Sequence, residues 1–105
     1  MLEAGKKAVR AVISGHVQGV WFRDWAIQNA EKSGIDGWVR NRTDGTVEIM
    51  MVGEEDKVDQ MIKLCWIGPS NAKVKNIDLF KALGITAKGF KQKPTVDLRE
   101  SRNLT

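Results

Sequence analysis

Apolar and polar residues alternate in four stretches of the chain, and this period of two predicts β-strands. In the first stretch, AVRAVIS, the residues Val9, Ala11 and Ile13 fall on one face. In the fourth, AKVKNIDLF, the alternation holds only if its phase shifts between Val74 and Ile77. The predicted strands cover residues 8–14, 35–43, 46–52 and 72–80.

Two other stretches carry apolar residues at helical spacing. Residues 22–33, FRDWAIQNAEKS, place mostly apolar or small side chains on one face and are followed by Gly34, a residue that commonly ends a helix. The second predicted helix starts with acidic residues at 54–56, where the helix dipole favours negative charge, and is broken by the pair Gly68-Pro69. Its apolar stripe consists of Val58, Met61, Ile62 and Cys65.

The predicted order β-α-β-β-α-β determines the expected fold class. The pair Asp44-Gly45 predicts a tight primed turn between the second and third strands. Two amphipathic helices must cover one face of one sheet, so we expect an α+β fold. This fold is a ferredoxin-like βαββαβ sandwich, with an antiparallel sheet and both helices on one face. A short fifth edge strand is expected around residues 86–92, ended by Pro94.

Composition adds the domain organisation. The chain has 105 residues, of which 42% are hydrophobic and 29% charged, as in an ordinary globular domain. We expect residues 1–93 to form this domain and the polar residues 94–105 to form a mobile C-terminal tail. The formal net charge of +4 suits a negatively charged partner, but many small soluble domains carry as much.

Neither secretion nor membrane insertion is indicated. The basic pair Lys6-Lys7 is followed by no apolar segment of the signal-peptide type. No apolar run approaches the roughly 20 residues that a membrane helix needs. Cys65 is the single cysteine, which fits a reducing compartment because it cannot form an internal disulfide. We therefore expect a cytoplasmic protein that does not bind a membrane.

The stretch GHVQGVWFR, residues 15–23, lies between the first strand and the first helix. The first N–H groups of a helix have no intrahelical partner and bind anions readily. Gly15 and Gly19 permit backbone angles that turn successive N–H groups inward. Arg23 falls in the first helical turn, where a cation opposes the dipole unless an anion lies between them. The stretch favours a phosphate site, although each residue has an ordinary interpretation as a turn glycine or a surface arginine.

A second stretch, GWVRNRTDGTVE at residues 37–48, places Asn41 near the end of a strand. An asparagine there either caps a turn or holds a water molecule, from which its carboxamide cannot take a proton. The only histidine, His16, lies in the glycine loop, but a general-base role for it is the less favoured interpretation. Trp38 and Trp25 are expected in the core.

These two stretches, with GPSNAKV at 68–74, are similar to the acylphosphatase family over roughly residues 7–80. The resemblance implies a ferredoxin-like α/β sandwich and an enzyme that cleaves the carboxyl–phosphate bond of acyl phosphates to carboxylate and inorganic phosphate. It implies that Arg23 binds the phosphate and that Asn41 orients the attacking water. The phosphate cradle that it implies consists of Gly15, His16, Val17, Gln18, Gly19 and Val20. Trp21 either rims the site and touches the acyl group or is an exposed aromatic beside the first helix.

The resemblance also implies which partners the protein has. It implies a small-molecule acyl phosphate as substrate, no nucleic acid, no cofactor and no metal, in agreement with the lack of a ligand cluster in the sequence. We expect a monomer. A non-catalytic ferredoxin-like module for phosphate-containing ligands or RNA stays open as the alternative. The family's usual final pattern F-x-I-R-Y is incomplete here, because Phe90 is followed by neither Ile nor Tyr.

Overall fold

Two helices and a five-stranded sheet form the protein in the computed structural model, which describes residues 2–84 and 86–99. The first six elements follow the predicted order β-α-β-β-α-β, which confirms the ferredoxin-like fold. The elements are β1 (Lys6–His16), α1 (Phe22–Lys32), β2 (Asp36–Asn41), β3 (Val47–Glu54), α2 (Glu55–Cys65), β4 (Lys73–Lys81) and β5 (Phe90–Gln92).

The strands lie in the order β4-β1-β3-β2-β5. The four long strands pair antiparallel, as predicted. The predicted fifth strand is present but shorter than expected, and it runs parallel to β2, with Phe90 opposite Gly37. The parallel pair makes the sheet mixed. Between β4 and β5 the chain crosses from one edge of the sheet to the other.

The core lies between the sheet and the helices. The alternating residues of β1 and the stripe of α2 supply buried side chains to it, as their periodicity predicts. Burial raises the pKa of the Cys65 thiol to about 12, so this thiol stays neutral and packs as an apolar filler. Six of the residues predicted to face the core from β1 and α2 are buried: Val9, Ala11, Ile13, Val58, Met61 and Cys65.

The prediction that Trp38 belongs to the core is wrong. Val39 is its fully buried neighbour and lies opposite Ile49 of β3. Since successive side chains of a strand point to opposite faces, Trp38 lies on the face of the sheet away from the core. There the Arg40 guanidinium and the Lys93 ammonium each lie 4.6 Å from its ring. Trp38 is thus only partly buried and is covered by cations.

The hairpin between β2 and β3 differs from the predicted primed turn. Gly45 has a φ of 90°, but Asp44 does not have a positive φ. The Arg42 N–H donates to the Thr46 carbonyl at 3.0 Å, and the Gly45 N–H donates to the Arg42 carbonyl at 3.1 Å. The connection is therefore a three-residue loop with one left-handed glycine, which also explains the Asp-Gly pair.

The chain after β5 contacts the end of β2. The Val96 N–H donates to the Asn41 carbonyl and the Thr43 N–H donates to the Val96 carbonyl, both at 3.1 Å. Residues 100–105 lie outside the described residues, so the division into a domain at 1–93 and a mobile tail at 94–105 stays a prediction. No helix in the described part of the chain is long and apolar enough to span a membrane.

Candidate active site

A cavity of about 370 Å³ brings Arg23 and Asn41 together. Arg23 comes from the first turn of α1, and Asn41 is the last residue of β2. The loop between β1 and α1 contributes Val17, Gln18 and Gly19 to the same lining. The two side chains with predicted catalytic roles and half of the predicted cradle thus share one concave surface.

The rest of the predicted cradle lies elsewhere. Gly15 and His16 are the last two residues of β1, where they pair with Val74 and Lys73 of β4. Val20 points into the core and is 5% exposed. The six predicted residues therefore divide into a strand end, a cavity lining and a buried anchor, and His16 does not line the cavity with Arg23.

Strand β1 runs two residues further than its pattern predicts because of a β-bulge. Ser14 lies opposite Asn76 and Gly15 lies opposite Val74, so Lys75 is the extra residue on β4. This bulge confirms the shift of phase that the β4 sequence required. Gly15 has a φ of 126°, and a Cβ there would collide with the Lys73 carbonyl oxygen and lie 2.7 Å from the Lys75 amide nitrogen.

Gly15→Ala is expected to lower the free energy of unfolding by about 2 kcal/mol, because it combines an unfavourable φ with a clash against β4. Gly45→Ala is the matched control, since Gly45 has a φ of 90° and a Cβ there would meet no atom within 4 Å. It is expected to cost about 1 kcal/mol. Urea denaturation of both variants measures the difference, and equal losses would contradict a steric role for Gly15.

The glycine loop is tied to the hairpin beside Asn41. The Gln18 side-chain amide donates to the carbonyls of Arg42 at 2.9 Å and Thr46 at 2.8 Å. The hairpin itself is braced by Asp44, whose carboxylate accepts from the Thr46 N–H and hydroxyl. Burial pushes the pKa of Asp44 upward, but these hydrogen bonds and the Arg42 charge outweigh it and hold the pKa below its usual value. The two hydrogen bonds of Gln18 therefore fix the position of the glycine loop relative to the hairpin that follows β2.

The N-terminus of α1 lies at the cavity, because Trp21, Phe22 and Arg23 line this cavity. Its N-cap is Trp21, and no side chain of the described residues caps it. The first main-chain N–H groups of the helix therefore remain available to an anion, and the dipole favours one. Buried Val17 and Val20 anchor the loop from below. Apolar side chains thus hold the loop in the core, while Arg23 lines the cavity.

Arg23 differs from the other arginines in its charge partners. Of the five arginines that the structure describes, it is the one that takes part in no ion pair. Asp24 lines the same cavity but does not pair with it. The Asn41 carboxamide likewise makes no hydrogen bond with any described residue. The other described arginines pair as Arg10 and Arg40 with Glu48, Arg42 with Asp44, and Arg99 with Asp97.

Comparison with known proteins identifies the family. The family model described as Acylphosphatase matches residues 9–91 of the 105. The chain belongs to the acylphosphatase family. An acylphosphatase of Rhizorhabdus wittichii is 48% identical over 89 residues, which cover 85% of this chain and 90% of that protein. An acylphosphatase of Rhodospirillum rubrum is 42% identical over 90 residues, which cover 86% and 99%.

A solved acylphosphatase structure agrees with this assignment. The acylphosphatase from Coxiella burnetii matches with a TM-score of 0.81 and 30% identity, and the match covers 85% of this chain and 94% of that one. The enzyme class that the two motifs implied, an acylphosphatase, is thereby confirmed. Within the ranges 2–84 and 86–99, no group of three or more His, Cys, Asp or Glu is placed to hold a metal ion.

Sequence reasoning missed three residues that line this acylphosphatase cavity: Phe22, Asp24 and Gln92. Phe22 and Asp24 flank Arg23 and could have been found from that neighbourhood. The sequence does not indicate that Gln92 lines the cavity, because its position there depends on the parallel pairing of β5 with β2. It follows Phe90 by two positions and lines the same cavity as Asn41.

Proposed function

We propose that this acylphosphatase hydrolyses acyl phosphates by in-line attack of a water molecule on phosphorus. Arg23 and main-chain amides of the loop at 15–20 hold the phosphoryl group, and within that loop residues 17–19 line the cavity. Asn41 orients the water. The observation that supports this proposal is that an unpaired guanidinium and an unpaired carboxamide line one cavity beside an uncapped helix N-terminus.

The chemistry needs no acid or base from the protein. The water oxygen forms a bond to phosphorus while the bond from phosphorus to the acyl oxygen breaks, and the acyl carboxylate takes the electron pair. Carboxylic acids have pKa values of about 4, so the leaving group departs without protonation. A non-bridging phosphate oxygen accepts the proton of the water. The transition state is loose, so positioning and charge stabilisation carry the catalysis.

Hydrolysis of benzoyl phosphate in the presence of EDTA tests this function. We expect turnover to be the same with and without the chelator, because Arg23 and the loop amides carry the charge stabilisation that a metal would otherwise supply. Benzoate and inorganic phosphate should appear in equal amounts. Activity that disappears with EDTA and returns with a divalent cation would contradict the proposal.

The same proposal includes a cytoplasmic monomer that acts on a small molecule and not on nucleic acid. The buried, unpaired Cys65 is compatible with a reducing compartment. On the open sheet face, Arg10 and Arg40 are paired with Glu48 at 3.0 and 2.7 Å. One carboxylate thus offsets one of these two positive charges and holds both guanidinium groups in internal ion pairs, which makes them less available to a nucleic-acid backbone.

A further inference from the structure

Trp21 combines high exposure with a position at the active-site cavity. It lines the cavity that contains Arg23 and Asn41, and 77% of its surface is exposed. Its indole makes no hydrogen bond or ring contact with any described residue. Contacts within the protein therefore do not explain why this position carries tryptophan, the largest amino-acid side chain.

The backbone of Trp21 makes its presence more unusual. It has a φ of 67° and a ψ of 25°, and it is the one non-glycine residue with a positive φ in the described part of the chain. A bulky side chain in this left-handed region is a steric outlier. Glycine would adopt the same conformation without this penalty, and Gly19, two residues earlier, also has a positive φ of 73°. Strain of this kind is commonly retained at binding sites, where a ligand contact offsets it.

The remaining lining residues leave the acyl half of the substrate without an apolar surface. Val17 and Phe22 are 1% and 2% exposed, so their side chains belong to the core. The other lining residues, apart from glycine, are polar or charged. Trp21 alone among the lining residues offers a large accessible apolar face. The cavity of about 370 Å³ falls within the ordinary range for ligand pockets, roughly 300–1,000 Å³.

We propose that the indole of Trp21 binds the acyl group, and that this enzyme therefore prefers acyl phosphates with aromatic or other bulky apolar acyl groups over acetyl phosphate. The inference rests on the proposed function, because it assumes that Arg23 and the loop hold the phosphoryl end. An aromatic acyl group would stack on the exposed indole face and shield it from water. A methyl group covers too little of that face to gain much.

The test compares kcat/KM for benzoyl phosphate and acetyl phosphate in the wild type, Trp21→Gly and Trp21→Phe. Trp21→Gly removes the indole and suits the left-handed backbone, so the loop conformation is retained. We expect it to lower kcat/KM for benzoyl phosphate by about tenfold. For acetyl phosphate we expect a loss of less than about twofold. Trp21→Phe should retain most of the preference.

Trp66→Ala is the matched control, because Trp66 is an exposed tryptophan at the end of α2 and does not line the cavity. It should leave the ratio of the two kcat/KM values unchanged. Equal losses for both substrates in Trp21→Gly, or no loss for either, would overturn the inference and leave the proposed function standing. A wild type that hydrolyses neither substrate would overturn the proposed function, and the inference with it.

Discussion

Arg23→Ala is expected to lower kcat/KM for benzoyl phosphate by about a thousandfold. Its guanidinium can contact two phosphoryl oxygens at once, and no other described cation lines the cavity to replace it. Folding should not suffer, because Arg23 makes no ion pair and its charge opposes the dipole of α1. The free energy of unfolding should stay level or rise by about 0.5 kcal/mol. Initial rates and urea denaturation separate these two effects.

Binding of inorganic phosphate gives a readout for Arg23 that does not depend on turnover. Phosphate at ten times its dissociation constant should stabilise the wild type by about 1.4 kcal/mol and raise Tm by several degrees. Arg23→Ala should lose this rise, whereas Arg23→Lys should keep part of it, since an ammonium keeps the charge but not the planar fork. Arg99→Ala is the matched control, because Arg99 is an exposed arginine outside the cavity. A full phosphate shift in Arg23→Ala would contradict the proposed role.

The fold could be predicted largely because β1, β2 and β3 each bury alternate residues. Val9, Ala11 and Ile13 recur at every second position, so their period alone selects the strand and its buried side. In β2 the neighbours Trp38 and Val39 are both apolar, and hydrophobicity does not decide which one faces the core. Pairing of Val39 with Ile49 decides it, and that register is a long-range property.

The residues that line the candidate site could be predicted where they lie in continuous motifs, and their catalytic roles stay predictions. Arg23 follows the glycine loop within one stretch, and Asn41 lies in a second stretch, so both were accessible from the sequence. The hydrogen bonds of Gln18 to the hairpin and the place of Gln92 in the lining were not accessible. Both depend on segments that are distant in sequence and meet only in the folded chain. Likewise, the extension of β1 through Gly15 depends on the bulge in β4.

Asn41→Ala is expected to lower kcat for benzoyl phosphate by about a hundredfold with little change in KM. The carboxamide is proposed to act on the water and not on the bound substrate, so its loss removes an interaction of the transition state. The fold should be retained, because the contacts of Asn41 with Val47 and Val96 are made by its backbone. Steady-state kinetics give both constants, and Asn71→Ala, at an exposed asparagine outside the cavity, serves as the control.

Asn41→Asp distinguishes water orientation from phosphate binding. The carboxylate keeps the size of the side chain and can still accept a hydrogen bond from water, but it adds a negative charge to the wall of a cavity that must bind a phosphate. We therefore expect KM to rise in Asn41→Asp, whereas in Asn41→Ala only kcat should fall. If Asn41→Ala instead raised KM and left kcat unchanged, Asn41 would bind the phosphoryl group in the ground state. The attacking water would then need another partner, and Gln92, which lines the cavity from the edge strand β5, is the next residue to substitute.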